Sequence, residues 1–461
     1  MPSGISAPGL CCLLTVLAYL PAPGANPAGV DYDLTAAMSL TMGGTSMSDP
    51  GQGYAVAMTE QYIDPFFGVA IAAGGQHVVV YPAQIWPVSC AGSSPRDCLT
   101  FDASVNQGIE DLAQAIARYP QDTKYILGYS QSTQIQTLTK RALMLDAQMA
   151  GGEFEDYPDV KMSMVANIDK PNGGVLERFS WAWPTPTTLR PLGITAYGPT
   201  PTNTPVDPLN PAEHAIDTVN ISFVYDGMGD FPANPFNPLA VANAVLGIAY
   251  LHNTYPFQTG ISPANPRVFY QGSYQDSAYY MITTELIPLL RPLQQIGVPT
   301  PVLRFLNAPL QVLVETGYDR RTNPGVPVPF RLTWTNPITV AQNLTRSLAV
   351  GFDDAAAELG HGRPLGTTPA GPFGVGGPTG PIPEPAAVPM AAAAGAAPVQ
   401  VREAPQPRAF AEDPSAAELG VGAAGEIRPA RSSSRPPGVP RRHAKPDTDK
   451  DHGRARPAKR R

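Results

Sequence analysis

The sequence predicts an α/β domain with a mainly parallel central sheet flanked by helices, followed by a disordered C-terminal tail. Three observations carry this. Between residues 31 and 360, short apolar runs alternate with stretches of helical period. One such run, KYILG at 124–128, passes through the turn GYSQS directly into a helical stretch. Beyond about residue 365 the periodicity stops, in PAGPFGVGGPTGPIPEPAAVPMAAAAGAAP and then a basic end. Such composition has too few large apolar residues to offset its ordering entropy.

The elements follow in chain order. AAMSLTM at 36–42 is a first strand, followed by the turn GGTSMSDPG. HVVVY at 77–81 is a second strand. Residues 101–119 place Val105, Ile109, Leu112, Ala113 and Ile116 on one helical face, with Asp102 as its expected N-cap. Residues 124–128 form a buried strand, and 132–149 return to helical period through Ile135, Leu138, Ala142 and Leu145. Strands are expected at 162–168 and 219–225, and an apolar helix at 238–251. Strands joined by crossover helices give parallel pairing with both sheet faces covered. Residues 175–215 are Pro/Thr-rich without period, a surface loop or cap. Residues 278–314 are helical in pattern but broken by Pro288, Pro292, Pro299, Pro301 and Pro309, a segment that could cover a cleft.

Composition excludes several classes. Of 461 residues, 54 are Pro and 43 Gly, and charged residues are 15%, against roughly 25% in ordinary soluble domains. A highly charged coiled coil does not fit. No apolar run reaches the roughly 18 residues of a membrane-spanning helix, so no transmembrane span is expected. The net charge is −7, yet residues 427–461 hold 12 Lys/Arg and 3 Asp/Glu, leaving −16 on the remainder. The acidic part is a poor nucleic-acid binder, and no specific nucleic acid is expected as a partner. The basic tail reads first as a solvated, disordered end, which can touch anionic lipid, cell-wall polymer or nucleic acid through charge alone.

The N-terminus GLCCLLTVLAYLPAPGANPAG has the length of a signal-peptide core followed by small residues, although no Lys or Arg precedes it. Residues 1–28 are therefore expected to be a signal peptide or apolar leader, with Cys11 and Cys12 inside it. Cys90 and Cys98 bracket the loop CAGSSPRDC and are expected to close a small disulfide, in keeping with export to an oxidising compartment. A secreted or cell-envelope location follows. No His or further Cys lies nearby at zinc-ligand spacing, so no metal site is expected.

The chemistry centres on GYSQS. A buried strand entering Gly128-Tyr129-Ser130-Gln131-Ser132 and leaving as a helix is a nucleophile elbow with Ser at its last position. The sharp reversal leaves the Ser130 hydroxyl clear at the sheet edge, and small residues on either side let helix and strand approach. A serine nucleophile needs a base, which in this architecture follows an acid in the order Ser, Asp, His. The chain has six His. His443 and His452 are in the tail, His361 is at the domain edge, His77 begins a strand, and His214 precedes the strand that would supply the acid. His252, after an apolar helix in LHNTYP, is the expected base. The acid should follow the strand NISFVY, where Asp226 and Asp230 both stand. Asp230 is the first choice, with Asp226 in reserve; Asp169 in NIDKPNGG reads better as a turn cap. The oxyanion hole should use backbone N–H groups of Gln131 and of the Gly43-Gly44-Thr45 turn, that is Gly44 and Thr45.

The series MGGTSMSDP, LTFDASVNQG, GYSQS, DKPNGGVLERF, YDGMGDFPANPFNPLAVANAVLG and YLHNTYP, in this order, resembles the PE-PPE domain of mycobacterial proteins, over roughly residues 36–320. That is a cutinase-like serine α/β-hydrolase domain. The resemblance implies Ser130, Asp230 and His252 as a triad. It also implies an esterase or acyltransferase acting on acyl esters or trehalose-type glycolipids, with no cofactor. The chain departs from the family in opening on a short leader in place of a PE or PPE helical module, and in its basic tail. A catalytically silent envelope-binding or adhesion protein, with the tail as its working part, is the competing expectation. The expected organisation is a leader at 1–28, the hydrolase domain at 31–360 and a disordered tail at 365–461.

Overall fold

The computed structural model describes residues 37–385 apart from 91–97, 121, 150–158, 182–186, 190–192, 204–215 and 333–334. The leader with Cys11 and Cys12, His214, and the tail from residue 386 onward lie outside the described residues.

Strand β1 (Ala37–Thr41) leads into helices α1 (Gln52–Tyr62) and α2 (Asp64–Phe67), then β2 (Gln76–Val78). Helix α3 (Phe101–Ala117) precedes β3 (Thr123–Tyr129), α4 (Gln131–Met149) and β4 (Val160–Val165). A separate antiparallel ribbon of β5 (Thr187–Leu189) and β6 (Ile194–Ala196) follows. Then come β7 (Thr218–Phe223), α5 (Pro238–Tyr250), the hairpin β8 (Val268–Tyr274) and β9 (Ser277–Ile282), and helices α6 (Arg291–Gln295), α7 (Thr300–Glu315) and α8 (Pro337–Glu358). The main sheet runs β2-β1-β3-β4-β7-β9-β8, parallel throughout except for the edge strand β8. This is the predicted α/β architecture.

Strand alternation decides what each sheet face buries. Met38, Leu40, Ile126, Met162 and Met164 face one way and pack with Val105, Leu112 and Ile116 of α3 and Ile135 of α4. Tyr125, Leu127, Tyr129, Val165, Ile221 and Phe223 face the other way, against Met58 and Tyr62 of α1 and Tyr255. Polar residues on that second face pair at once: Ser39 Oγ meets Thr59 Oγ1 at 2.7 Å, and Ser163 Oγ donates to the Tyr62 carbonyl at 2.6 Å. A third cluster joins Val224, Tyr225 and Ala240 to Leu303 and Val314 of α7 and to Phe373.

The structure corrects several expectations. Thr100, not Asp102, caps α3: its hydroxyl accepts from the Ala103 N–H at 3.2 Å. Asp102 instead accepts from the backbone and hydroxyl of Thr195, tying α3 to the ribbon. The segment 278–314 opens as strand β9, because SAYYMI pairs with both β7 and β8 before the helices begin. Pro309 lies inside α7 without ending it. Helices α1 and α8 are additional to the elements expected from the sequence. Ordered chain continues past 365: Phe373 is 1% exposed, and the Ile382 N–H donates to the Gln271 carbonyl of β8 at 2.8 Å. Pro/Gly content concealed this segment, which is held by one buried ring and a few backbone bonds rather than by a periodic face.

Candidate active site

The end of β3 and the start of α4 form the elbow. Ser130 has φ 58°, the left-handed region, which costs a non-Gly residue of order 1–3 kcal/mol. The surroundings hold it there. Its N–H donates to the Val165 carbonyl at 3.1 Å, its carbonyl accepts from the Thr133 N–H at 2.9 Å, and the Tyr129 N–H donates to Ser132 Oγ at 2.8 Å. Gly128 is required by packing: a Cβ there would lie 2.3 Å from Gln136 Oε1 and 2.9 Å from the Ser132 carbonyl.

His252 follows α5. Its Nε2 lies 2.8 Å from Ser130 Oγ. Its Nδ1 faces the Asp226 carboxylate, at 3.1 Å from Oδ1 and 3.0 Å from Oδ2. A carboxylate accepts only, so the proton sits on Nδ1 and Nε2 is free to accept from the serine. The sequence reading paired His252 with Asp230; the structure pairs it with Asp226. Asp230 turns the other way and takes a bidentate bond from Arg320 at 2.6 and 3.0 Å. The physical reason is the turn between the two aspartates. The Asp230 N–H donates back to the Asp226 carbonyl at 2.6 Å, and Asp230 Oδ2 accepts the Tyr225 N–H at 2.8 Å. The acid loop is therefore closed by Asp230, and Asp226 is the residue projected toward the imidazole.

Asp230 sits in a buried charge cluster. Burial opposes its ionisation, but the positive charges of Arg320 and Lys170 hold its carboxyl below the usual range. Arg320 also bonds Glu315 and lies over the Tyr318 and Phe373 rings, at 4.1 and 4.4 Å from their centroids. Lys170 is buried, and that burial pushes its amine down to about 8. Asp169, the third aspartate of the sequence reading, is buried after β4, and that burial pushes its carboxyl up against the opposing Arg141 charge and Thr137 hydroxyl.

The turn after β1 lies against the elbow. A Cβ on Gly44 would be 3.0 Å from the Tyr129 ring and 3.3 Å from Ser130 Cβ. The Thr45 hydroxyl donates to Gln131 Oε1 at 3.4 Å, and Gln131 Nε2 donates to the Gln84 carbonyl at 2.8 Å. Gly44, Thr45 and Gln131 are thus brought together beside Ser130. Cys90 and Cys98 are disulfide-bonded, and Ser89 beside them meets Ser46 of this turn through their hydroxyls at 2.5 Å. Three aromatic residues to which the sequence reading gives no role pack behind these side chains. Tyr129 stacks on His252 with centroids 5.1 Å apart and donates its hydroxyl to the His252 carbonyl at 2.5 Å. Tyr255 donates to Asp226 Oδ2 at 2.8 Å, and Tyr62 donates to the Tyr255 carbonyl at 2.8 Å. The signal for Tyr255 was adjacency to the base in HNTYP; nothing local marks Tyr62.

Ser130 and His252 are 7% and 6% exposed, so both side chains lie below the open surface. A cavity of about 730 Å³ lies elsewhere, between α7, α8 and residues 373–378, lined by Tyr318, Arg320, Arg331 and Asn343 among others. Segment 278–314 lines that cavity through Val312. Among the described residues no helix is long and apolar enough to cross a membrane.

Residues 73–319 match the family model described as the PE-PPE domain. The chain is 32% identical over 325 residues to Esterase PE16 of Mycobacterium tuberculosis, covering 68% of this chain and 56% of that protein. It is 32% identical over 328 residues to PE family protein PE3 of the same organism, covering 70% of this chain and 64% of that protein. It is 26% identical over 323 residues to the same organism's Diacyltrehalose acyltransferase Chp2, covering 66% of this chain and 80% of that protein. The chain thus spans less than two thirds of the length of PE16 and PE3. With its mostly parallel sheet and flanking helices, the chain has the cutinase-like α/β-hydrolase fold and belongs to the PE-PPE domain family.

Proposed function

We propose that the protein is a serine esterase or acyltransferase acting on acyl esters of the cell envelope, with Ser130 as nucleophile, His252 as base and Asp226 as the acid that orients it. The observation that carries this is the line from Ser130 Oγ to His252 Nε2 at 2.8 Å and from Nδ1 to Asp226 at 3.0 Å. His252 takes the Ser130 proton on Nε2 as the oxygen attacks the ester carbonyl. Asp226 stabilises the imidazolium that forms without itself taking the proton. The tetrahedral oxyanion is held by backbone N–H groups of Gln131 and of the Gly44-Thr45 turn. The imidazolium then protonates the leaving alcohol, leaving an acyl group on Ser130. A water or sugar hydroxyl, deprotonated by His252, releases it. The names of PE16 and Chp2 support ester and glycolipid chemistry respectively. Export through the leader, an envelope location and contact of the basic tail with an anionic surface belong to the same proposal.

The test is a fluorophosphonate probe with mass mapping of the adduct. The wild-type chain should be labelled on Ser130 and Ser130→Ala should not be labelled. No labelling of the wild type would favour a silent binding module. Supplying p-nitrophenyl esters with and without a trehalose lipid acceptor then separates hydrolysis from transfer.

A further inference from the structure

We infer that Tyr255 is a positioning residue that fixes the charge and orientation of Asp226, and through it the basicity of His252; this rests on the catalytic reading above. The geometry assigns the phenol its direction. The Phe223 N–H, at the end of β7, donates to Tyr255 Oη at 2.7 Å. That hydroxyl has one proton, and its other neighbour is Asp226 Oδ2 at 2.8 Å. With an N–H already pointing at its oxygen, the hydroxyl donates to the carboxylate. The other donors on that carboxylate among the described residues are His252 Nδ1 and the Met228 N–H, the latter at 3.1 Å from Oδ1. Each oxygen is thus held by one fixed donor and shares the imidazole between them.

Everything around Tyr255 resists its movement. Its ring lies 5.7 Å from Tyr129, 4.7 Å from Phe223 and 6.2 Å from Tyr62, and its edge meets His252 at 6.1 Å. It is fully buried, and the Tyr62 hydroxyl pins its carbonyl. The chain from His252 to Phe257 is one tight 3₁₀ segment, so base and clamp are carried on the same rigid piece. The titratable groups whose charge reaches Asp226 are Tyr255, Tyr129 from β3 and Lys170 after β4, while Tyr62 from α1 meets the Tyr255 carbonyl and Asp230 faces away, toward Arg320. Of these, only Tyr255 and His252 bond the Asp226 carboxylate.

A donor removed from a carboxylate leaves more of its negative charge for the imidazolium. Tyr255→Phe should therefore raise the pH of the acid limb of kcat/KM, which reports the free-enzyme base. It should also lower kcat about tenfold with KM within about twofold. The assay is p-nitrophenyl ester hydrolysis by the full chain from pH 4 to 9, with active enzyme counted by fluorophosphonate titration. Tyr62→Phe, which loosens the same ring cluster without touching the carboxylate, should keep the wild-type limb. If Tyr255→Phe does not fold, 3-fluorotyrosine installed at position 255, a stronger donor, should move the limb downward. A limb that superimposes on wild type in the Tyr255 variants, or one that moves equally in Tyr62→Phe, overturns the assignment. Absence of fluorophosphonate labelling in the wild type instead overturns the catalytic reading beneath it.

Discussion

At the residue scale, two aspartates four positions apart do unlike work. Asp226 contacts the imidazole, whereas Asp230 is locked to Arg320 from 90 residues further along the chain. Asp226→Asn should reduce kcat by about 10³–10⁴ with little change in stability, since an amide presents the wrong group to Nδ1. Asp230→Asn should act chiefly on stability. Among the described residues it leaves the buried Arg320 with Glu315 alone as ion partner, and the denaturant midpoint should fall while the activity of the remaining folded enzyme is largely kept. Parallel kcat and urea-melt measurements on the two variants check this split. Ser130 and His252 were legible in the sequence: the elbow identified one, and elimination among six histidines the other. The choice between Asp226 and Asp230 was not. Both follow the same strand, and the contact that decides between them, with Arg320, is invisible to local spacing.

At the element scale, the site depends on how closely α4 approaches β3. Gly128→Ala would press a methyl group against Gln136, which is itself bonded to the Ile126 and Ser163 carbonyls, and against the Ser132 carbonyl. The helix would have to shift, at about 1–3 kcal/mol. Ser130 would move with it, so Tm and kcat should fall together, read by calorimetry and by ester hydrolysis. On the other side of the elbow, the Cys90–Cys98 ring spans a sequence separation of 8. Loop entropy for so short a ring is worth about 2.5 kcal/mol, and replacing both cysteines by serine should lower the denaturant midpoint accordingly. Strands with β-branched or alternating apolar residues were legible; the β8–β9 hairpin was not. Its residues YQGSYQDSAYY mix turn formers with aromatics, and the register shift at Gly272 breaks the alternation. Helix α1 was concealed because its buried face carries Tyr54, Thr59 and Tyr62 beside Ala55 and Met58.

At the scale of the whole molecule, buried charge sets a pH window for stability. Burial pushes the Asp169 carboxyl up to about 7 and that of Glu177 up to about 8, with the nearby Arg141 charge opposing. The Thr137 hydroxyl beside Asp169 and the Ser180 hydroxyl beside Glu177 also oppose the rise, without offsetting the burial. Both groups bind protons more tightly in the folded chain than in the unfolded one, where they titrate near about 4. Their contribution is therefore complete below about pH 4 and is lost as the pH rises through 7 and 8. Asp230 has the opposite sign: its lowered pKa contributes above the unfolded carboxylate value and is lost as the pH falls through its folded one. Tm should accordingly decline between pH 5.5 and 8.5, and Glu177→Gln should flatten that decline, measured by scanning calorimetry. Phe373→Ala, which empties a site against Phe269 and the Arg320 guanidinium, should cost about 3–5 kcal/mol.

The stretch near residue 382 has a bearing on colloidal behaviour. Strand β8 is the last of its sheet, with one flank that no strand pairs among the described residues. The Ile382 N–H occupies the Gln271 carbonyl there, the Asn323 amide grips the carbonyls of Ile382 and Pro383, and Glu384 accepts the Gln275 N–H. Another molecule's strand thus finds that flank already taken. Cutting the chain after residue 360 would bare it, and the shortened protein should form concentration-dependent aggregates in light scattering that a chain ending at 385 does not.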